Sequence, residues 1–111
     1  ESTPATVNDP GLVERVTPLL KNALGAEHVI TADPVMGAED FALFAQDGVP
    51  IMMFWIGTVP RERIEAAAAG GAPLPGLHSN RYQPEAEASV AVGVRAMTSA
   101  VVGLLPPGTQ P

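Results

Sequence analysis

The chain has no cysteine. That excludes a disulfide framework and a thiolate metal site, and it leaves the redox compartment unmarked. Cations are scarce too: Lys21 is the one lysine, and 6 basic residues stand against 12 acidic ones for a net charge of −6. Phosphate binding needs clustered lysine and arginine, and no basic patch is present, so no nucleic-acid partner is expected. Long apolar runs are missing. The longest, residues 49–56, is far short of the roughly 20 residues that a membrane-spanning helix needs, so no membrane partner is expected. No signal peptide is visible, and an intracellular, cytoplasmic location is the plainest expectation. The chain opens Glu1-Ser2-Thr3 without a methionine, from which we expect upstream sequence to have been removed. Gly-x-Ser-x-Gly, His-Glu-x-x-His and the dinucleotide glycine pattern are all absent.

What is present is 111 residues, 46% of them hydrophobic, enough for one modest core or for a piece of a larger one. Residues 1–8 read as the end of a strand. Asp9-Pro10 reads as a helix start, with an acidic cap followed by proline where its missing N–H is not needed. Leu12, Val16, Leu19, Leu20 and Leu24 then recur at helical spacing up to Gly25, with Pro18 expected to bend the helix. Residues 28–32 read as a short strand ended by Asp33-Pro34. Residues 38–46 read as a short helix closed by Asp47-Gly48. The continuous apolar run 49–56 reads as a strand buried on both faces, at the centre of a sheet. Residues 57–76 hold enough glycine and proline to predict a mobile surface loop, with a turn or two of helix over Arg61 to Glu65 and the alanines that follow. From Pro84 a last helix carries Val90, Val94, Met97, Val101 and Leu105 as an apolar stripe, stopped by Pro106-Pro107-Gly108, after which a flexible tail, 106–111, is expected.

Two segments hold most of the polar groups able to do chemistry, Met36-Gly37-Ala38-Glu39-Asp40-Phe41 and Leu77-His78-Ser79-Asn80-Arg81-Tyr82. Glu39 and Asp40 are adjacent, so on a helix start their side chains diverge by roughly a hundred degrees and do not share a proton as a catalytic dyad. Their bland explanation is favourable placement at the positive end of a helix dipole. Gly37 and Ala38 before them could present free N–H groups to an anion. His78 on a loop could reach a metal or a substrate, but one histidine is not a metal-site pattern and a solvated loop histidine is the ordinary case. His28, beside Glu27, reads as a surface residue.

The order Val7-Asn8-Asp9-Pro10, a helix, the Gly37-Ala38-Glu39-Asp40-Phe41 motif, an apolar run ending Ile56-Gly57-Thr58, then Leu77-His78-Ser79 and a closing helix resembles the C-terminal part of the zinc-dependent amidohydrolases and metallopeptidases of the hippurate hydrolase, aminoacylase and auxin-conjugate hydrolase type. The resemblance covers nearly the whole chain. It implies an α/β fold, part of a catalytic domain with a mixed sheet flanked by helices. Residues 1–8 would be the last strand of an inserted lid and dimerisation domain, and residues 9–105 the C-terminal portion of the catalytic domain. It implies His78 as the last metal ligand, and Gly37, Ala38, Glu39 and Asp40 beside the substrate cleft.

The family chemistry so implied is hydrolysis of N-acyl amino acids or peptide-like amides by water activated on two divalent ions, zinc or else manganese or cobalt. The other ligands and the general-base glutamate belong to motifs that do not occur here, so no catalytic residue is expected within these 111 residues. We therefore expect a fragment that is inactive alone and holds no metal stably, from a parent able to form homo-oligomers. Ala38 and Asn80 stand where serine and proline are frequent in the family. Two other readings remain from the residues themselves: a stand-alone acidic α/β module binding a small ligand or a protein through the Glu39 loop, and a piece with no activity whose exposed apolar strand drives self-association.

Overall fold

The computed structural model describes residues 3–37 and 39–105. In chain order these form helix α1 (Pro10–Leu24), a one-turn 3-10 helix (Ala26–His28), a longer 3-10 helix (Asp40–Asp47), α2 (Arg61–Ala68) and α3 (Ala86–Leu104). The chain divides into two compact units. One comprises Glu1–Trp55 with Arg95–Pro111, the other Ile56–Val94, and α3 contributes to both.

The expected α/β fold with a mixed sheet is corrected: no strand occurs among the described residues, which are helical or irregular. A strand exists by pairing its backbone with a neighbour, and the neighbours needed here are not supplied. Residues 28–32 begin instead inside a 3-10 turn, where the His28 N–H donates to Gly25 O at 3.1 Å. The run 49–56 does present a strand-like edge. Ile51 and Met53, two residues apart, direct backbone groups to the same side, toward residues 8 and 9. The Asp9 N–H donates to Ile51 O at 2.8 Å. Beyond that, the partner is a side chain: Asn8 Nδ2 donates to Met53 O at 2.9 Å and Met53 N–H donates to Asn8 Oδ1 at 2.8 Å. A carboxamide thus stands in for one residue of an adjacent strand, and no ladder extends from it. Nor is the run buried on both faces. Ile51 is buried, whereas Val49 and Trp55 are exposed.

Helix α1 follows its sequence signals. Asp9 caps it, accepting the Leu12 N–H at 2.8 Å, and Pro10 occupies the first position. The helix is continuous through Pro18. It stops at Gly25, whose φ of 97° lies where side-chain-bearing residues are strained and whose N–H returns to Lys21 O. The Arg95 guanidinium donates to Ala23 O, satisfying one of the carbonyls that the last turn leaves unpaired.

The core of this unit is small. Val16 and Leu20 of α1 pack with Ala96 and Ala100 of α3, and Leu24, Val29, Met52, Phe54 and Leu104 lie partly buried around them. The face of α3 turned to α1 is therefore its small-residue face. At Gly103 a Cβ would intrude on the Leu19 side chain, so the bare glycine lets the leucine lie against the helix backbone. The stripe Val90, Val94, Met97, Val101 and Leu105 is on the outside, each of these residues at least half exposed. α3 is apolar on both sides, the pattern of a helix enclosed within a larger body. By length and composition it is also apolar enough to cross a membrane.

In the second unit, the turn or two of helix expected within residues 57–76 is α2, Arg61–Ala68. Pro60 O accepts the Arg63 and Ile64 N–H groups at its start, and Gly71 N–H returns to Ala66 O at its end. The segment is tied to residues 82–85: Thr58 and Tyr82 share a hydroxyl hydrogen bond, Glu85 N–H donates to Thr58 O at 2.7 Å, and Arg63 Nη1 donates to Gln83 O at 3.0 Å. The tail, 106–111, lies outside the described residues.

Asn8→Ala removes two part-buried hydrogen bonds at once and is expected to cost about 1–3 kcal/mol in urea denaturation. The two faces of α3 give a second expectation. Ala96→Leu overpacks the α1 contact and is expected to cost about 1–3 kcal/mol. Met97→Ala, one residue away on the exposed stripe, is expected to change stability by less than about 0.5 kcal/mol.

Candidate functional site

His78 occupies the second central position of a tight turn, Gly76-Leu77-His78-Ser79, closed by Ser79 N–H donating to Gly76 O at 3.0 Å. A second turn follows directly. Tyr82 N–H donates to Ser79 O at 3.0 Å, and Ser79 Oγ accepts the Arg81 N–H at 3.1 Å. The serine beside the histidine is thus a backbone fixture, the ordinary use of a hydroxyl in a turn, with no base placed to activate it. Consecutive turns hold His78 outward, its side chain exposed and without a charged partner among the described residues.

On the other unit, Glu39 and Asp40 stand at the start of the longer 3-10 helix. Glu39 is its cap, its Oε1 accepting the Phe41 N–H at 3.2 Å, and Asp40 lies in the first turn. The two carboxylates therefore have separate positions, as their adjacency predicts. The Gly37 N–H donates to Val35 O at 3.2 Å, so it is not a free anion donor. Ala38 lies outside the described residues. Gly37, Glu39 and Asp40 are exposed. His28 pairs with Glu27 at 3.4 Å on the surface, as the sequence suggests.

One feature of this segment was not singled out from sequence. In a 3-10 helix, residues three apart lie directly above one another. Phe41 and Phe44 have that spacing, and their rings stand 5.8 Å apart at 54°. Phe44 is exposed, as are Met36 and Leu43 nearby in sequence, so the acidic helix start borders an apolar lip.

The chain's match to peptidase family M20/M25/M40 runs over residues 1–102. The chain belongs to that family. It is similar to the protein named amidohydrolase YhaA of Bacillus subtilis strain 168, 37% identical over 59 residues that cover 53% of this chain and 15% of that protein. It is also similar to an IAA-amino acid hydrolase, ILR1-like 2, of Arabidopsis thaliana, 41% identical over 46 residues that cover 41% of this chain and 10% of that protein. These matches span well under two thirds of either relative. No solved structure matches the chain.

Divalent metals are general in the family. The residues present here do not fit a complete site for one. A catalytic zinc takes three protein ligands, and among the described residues no three histidine, aspartate or glutamate side chains gather around a common point.

The environment of His78 leads to a specific expectation. It is exposed and makes no contact that the fold needs, so His78→Ala should shift the free energy of unfolding of this chain by less than about 0.5 kcal/mol, measured by urea titration.

Proposed function

We propose that this chain is a C-terminal fragment of a metal-dependent amidohydrolase that cleaves N-acyl amino acids or peptide-like amides. In this reading His78 is one ligand of a two-metal site whose other donors lie on sequence outside these 111 residues. The segment Gly37, Ala38, Glu39 and Asp40 borders the substrate. When bound, the metal ions supply a water acidic enough to attack an amide near neutral pH. What this chain contributes is positional: the paired turns at 76–82 fix where the imidazole is offered, and the cap formed by Glu39 fixes the start of the segment that carries Asp40.

The observation that carries the reading is the pairing of family membership with an incomplete donor set, the His78 imidazole on an exposed, hydrogen-bonded turn. The outward apolar stripe of α3 supports it as well, because a helix apolar on both sides is the expected form of one enclosed by further protein. The names of the two relatives, an amidohydrolase and an amino acid conjugate hydrolase, are the basis for the substrate class.

Two outcomes are expected. Calorimetric titration of zinc into the 111-residue chain should find no sub-micromolar site, and the chain should not hydrolyse N-acyl amino acids; tight binding lost in His78→Ala would overturn the fragment reading. In the complete protein encoded by the gene, His78→Ala should lower kcat/KM and metal content by more than the roughly 10–100-fold that outer-shell partners of a metal are worth. Full activity in that variant would remove His78 from the site.

A further inference from the structure

In the second unit α2, the segment 72–75 and the segment 81–83 enclose an open groove of about 460 Å³. That volume lies within the range of small-ligand sites. Its apolar lining includes Ala66, Ala67, Pro73 and Leu74, and its polar lining residues are Arg63, Arg81 and Gln83. This is an unusual concentration for an acidic chain. Two of its 6 cations line one groove, and none of the lining residues is acidic. Among the described residues neither arginine pairs with a carboxylate, while the nearby Glu65 is engaged by Arg61 at 3.7 Å.

One of the two guanidinium groups, that of Arg63, is positioned in advance. Arg63 Nη1 donates to Gln83 O at 3.0 Å, which holds the guanidinium while leaving its other donors available. The backbone of Arg81 is fixed by the Ser79 turn through its N–H. Positioning of this kind lowers the ordering cost that a flexible surface arginine would add on binding.

We propose that this groove binds a small carboxylic acid with an apolar tail. The two guanidinium groups take the carboxylate by charge-assisted, bidentate hydrogen bonds, and the alanine, proline and leucine side chains of the lining take the tail. The proposal is independent of the hydrolase reading above, since it holds or fails on binding alone.

The test is a titration of the 15N-labelled chain with phenylacetate, followed by amide shifts. Phenylacetamide serves as the uncharged isostere and inorganic phosphate as an anion without a tail. Saturable shifts at Ala66, Ala67 and Leu74 are expected with phenylacetate, with affinity at least about tenfold weaker for both comparators. Arg81→Ala, at an exposed position whose side chain the fold does not use, should weaken phenylacetate binding by a similar factor with an unchanged circular dichroism spectrum. Arg63→Lys, which keeps the charge but loses the planar fork, should weaken it as well. The absence of saturable shifts, equal affinity for the amide or for phosphate, or undiminished binding in Arg81→Ala would each overturn the proposal.

Discussion

Residues 8 and 9 tie the start of α1 to a point some forty residues further along. The Asn8 carboxamide engages both backbone groups of Met53, the Asp9 N–H takes Ile51 O, and the Asp9 carboxylate caps α1. Closing so long a loop carries an entropic cost that grows only slowly with length, so a few directional bonds at its neck can hold it. They set which side chains of the apolar run meet the α1 and α3 core. Ile51 is buried and Met52 and Phe54 reach the cluster, while Val49 and Trp55 at the ends of the run stay in water. Without this clasp the run has no other backbone partner among the bonds described for it.

Signals that act within a few residues were legible in the sequence. The Asp9-Pro10 start, the Gly25 stop, the Gly48 closure and the short helix after Glu39 all appear, because caps and left-handed glycines depend on local backbone chemistry. The sheet was not legible because a strand is a property of a pair. The composition of residues 49–56 suits a buried strand, but composition cannot supply the second strand. The closing helix shows a related limit. Its large apolar residues mark a stripe at helical spacing, yet the face that packs on α1 is the one with Ala96, Ala100 and Gly103, since small residues allow two helices a closer approach.

For the candidate site, the motif residues were legible and their surroundings were not. Ser79, the hydroxyl beside His78, shapes the turn that holds it. Gly37 looked like a free donor and is engaged by Val35 O. In both cases a local hydrogen bond of the backbone takes up the group that chemistry might have used. The imidazole of His78 is what remains uncommitted; on the same unit Arg63 and Arg81 line one groove, which no motif marked because the two arginines are eighteen residues apart.

The exposed stripe of α3 bears on what covers this chain. By length and hydropathy the helix would pass as a membrane span. Arg95, however, sits at the midpoint of Ala86–Leu104, where a charged side chain costs about 2.5–3.5 kcal/mol on insertion scales. It is also engaged with the last turn of α1. Insertion would strip that bond and separate Ala96 and Ala100 from Val16 and Leu20, exchanging a packed contact for lipid. A protein surface laid over Val90, Val94, Met97 and Val101 covers the same apolar area and leaves Arg95, the α1 terminus and the core in place. The physical balance therefore favours protein over lipid as the cover for this face.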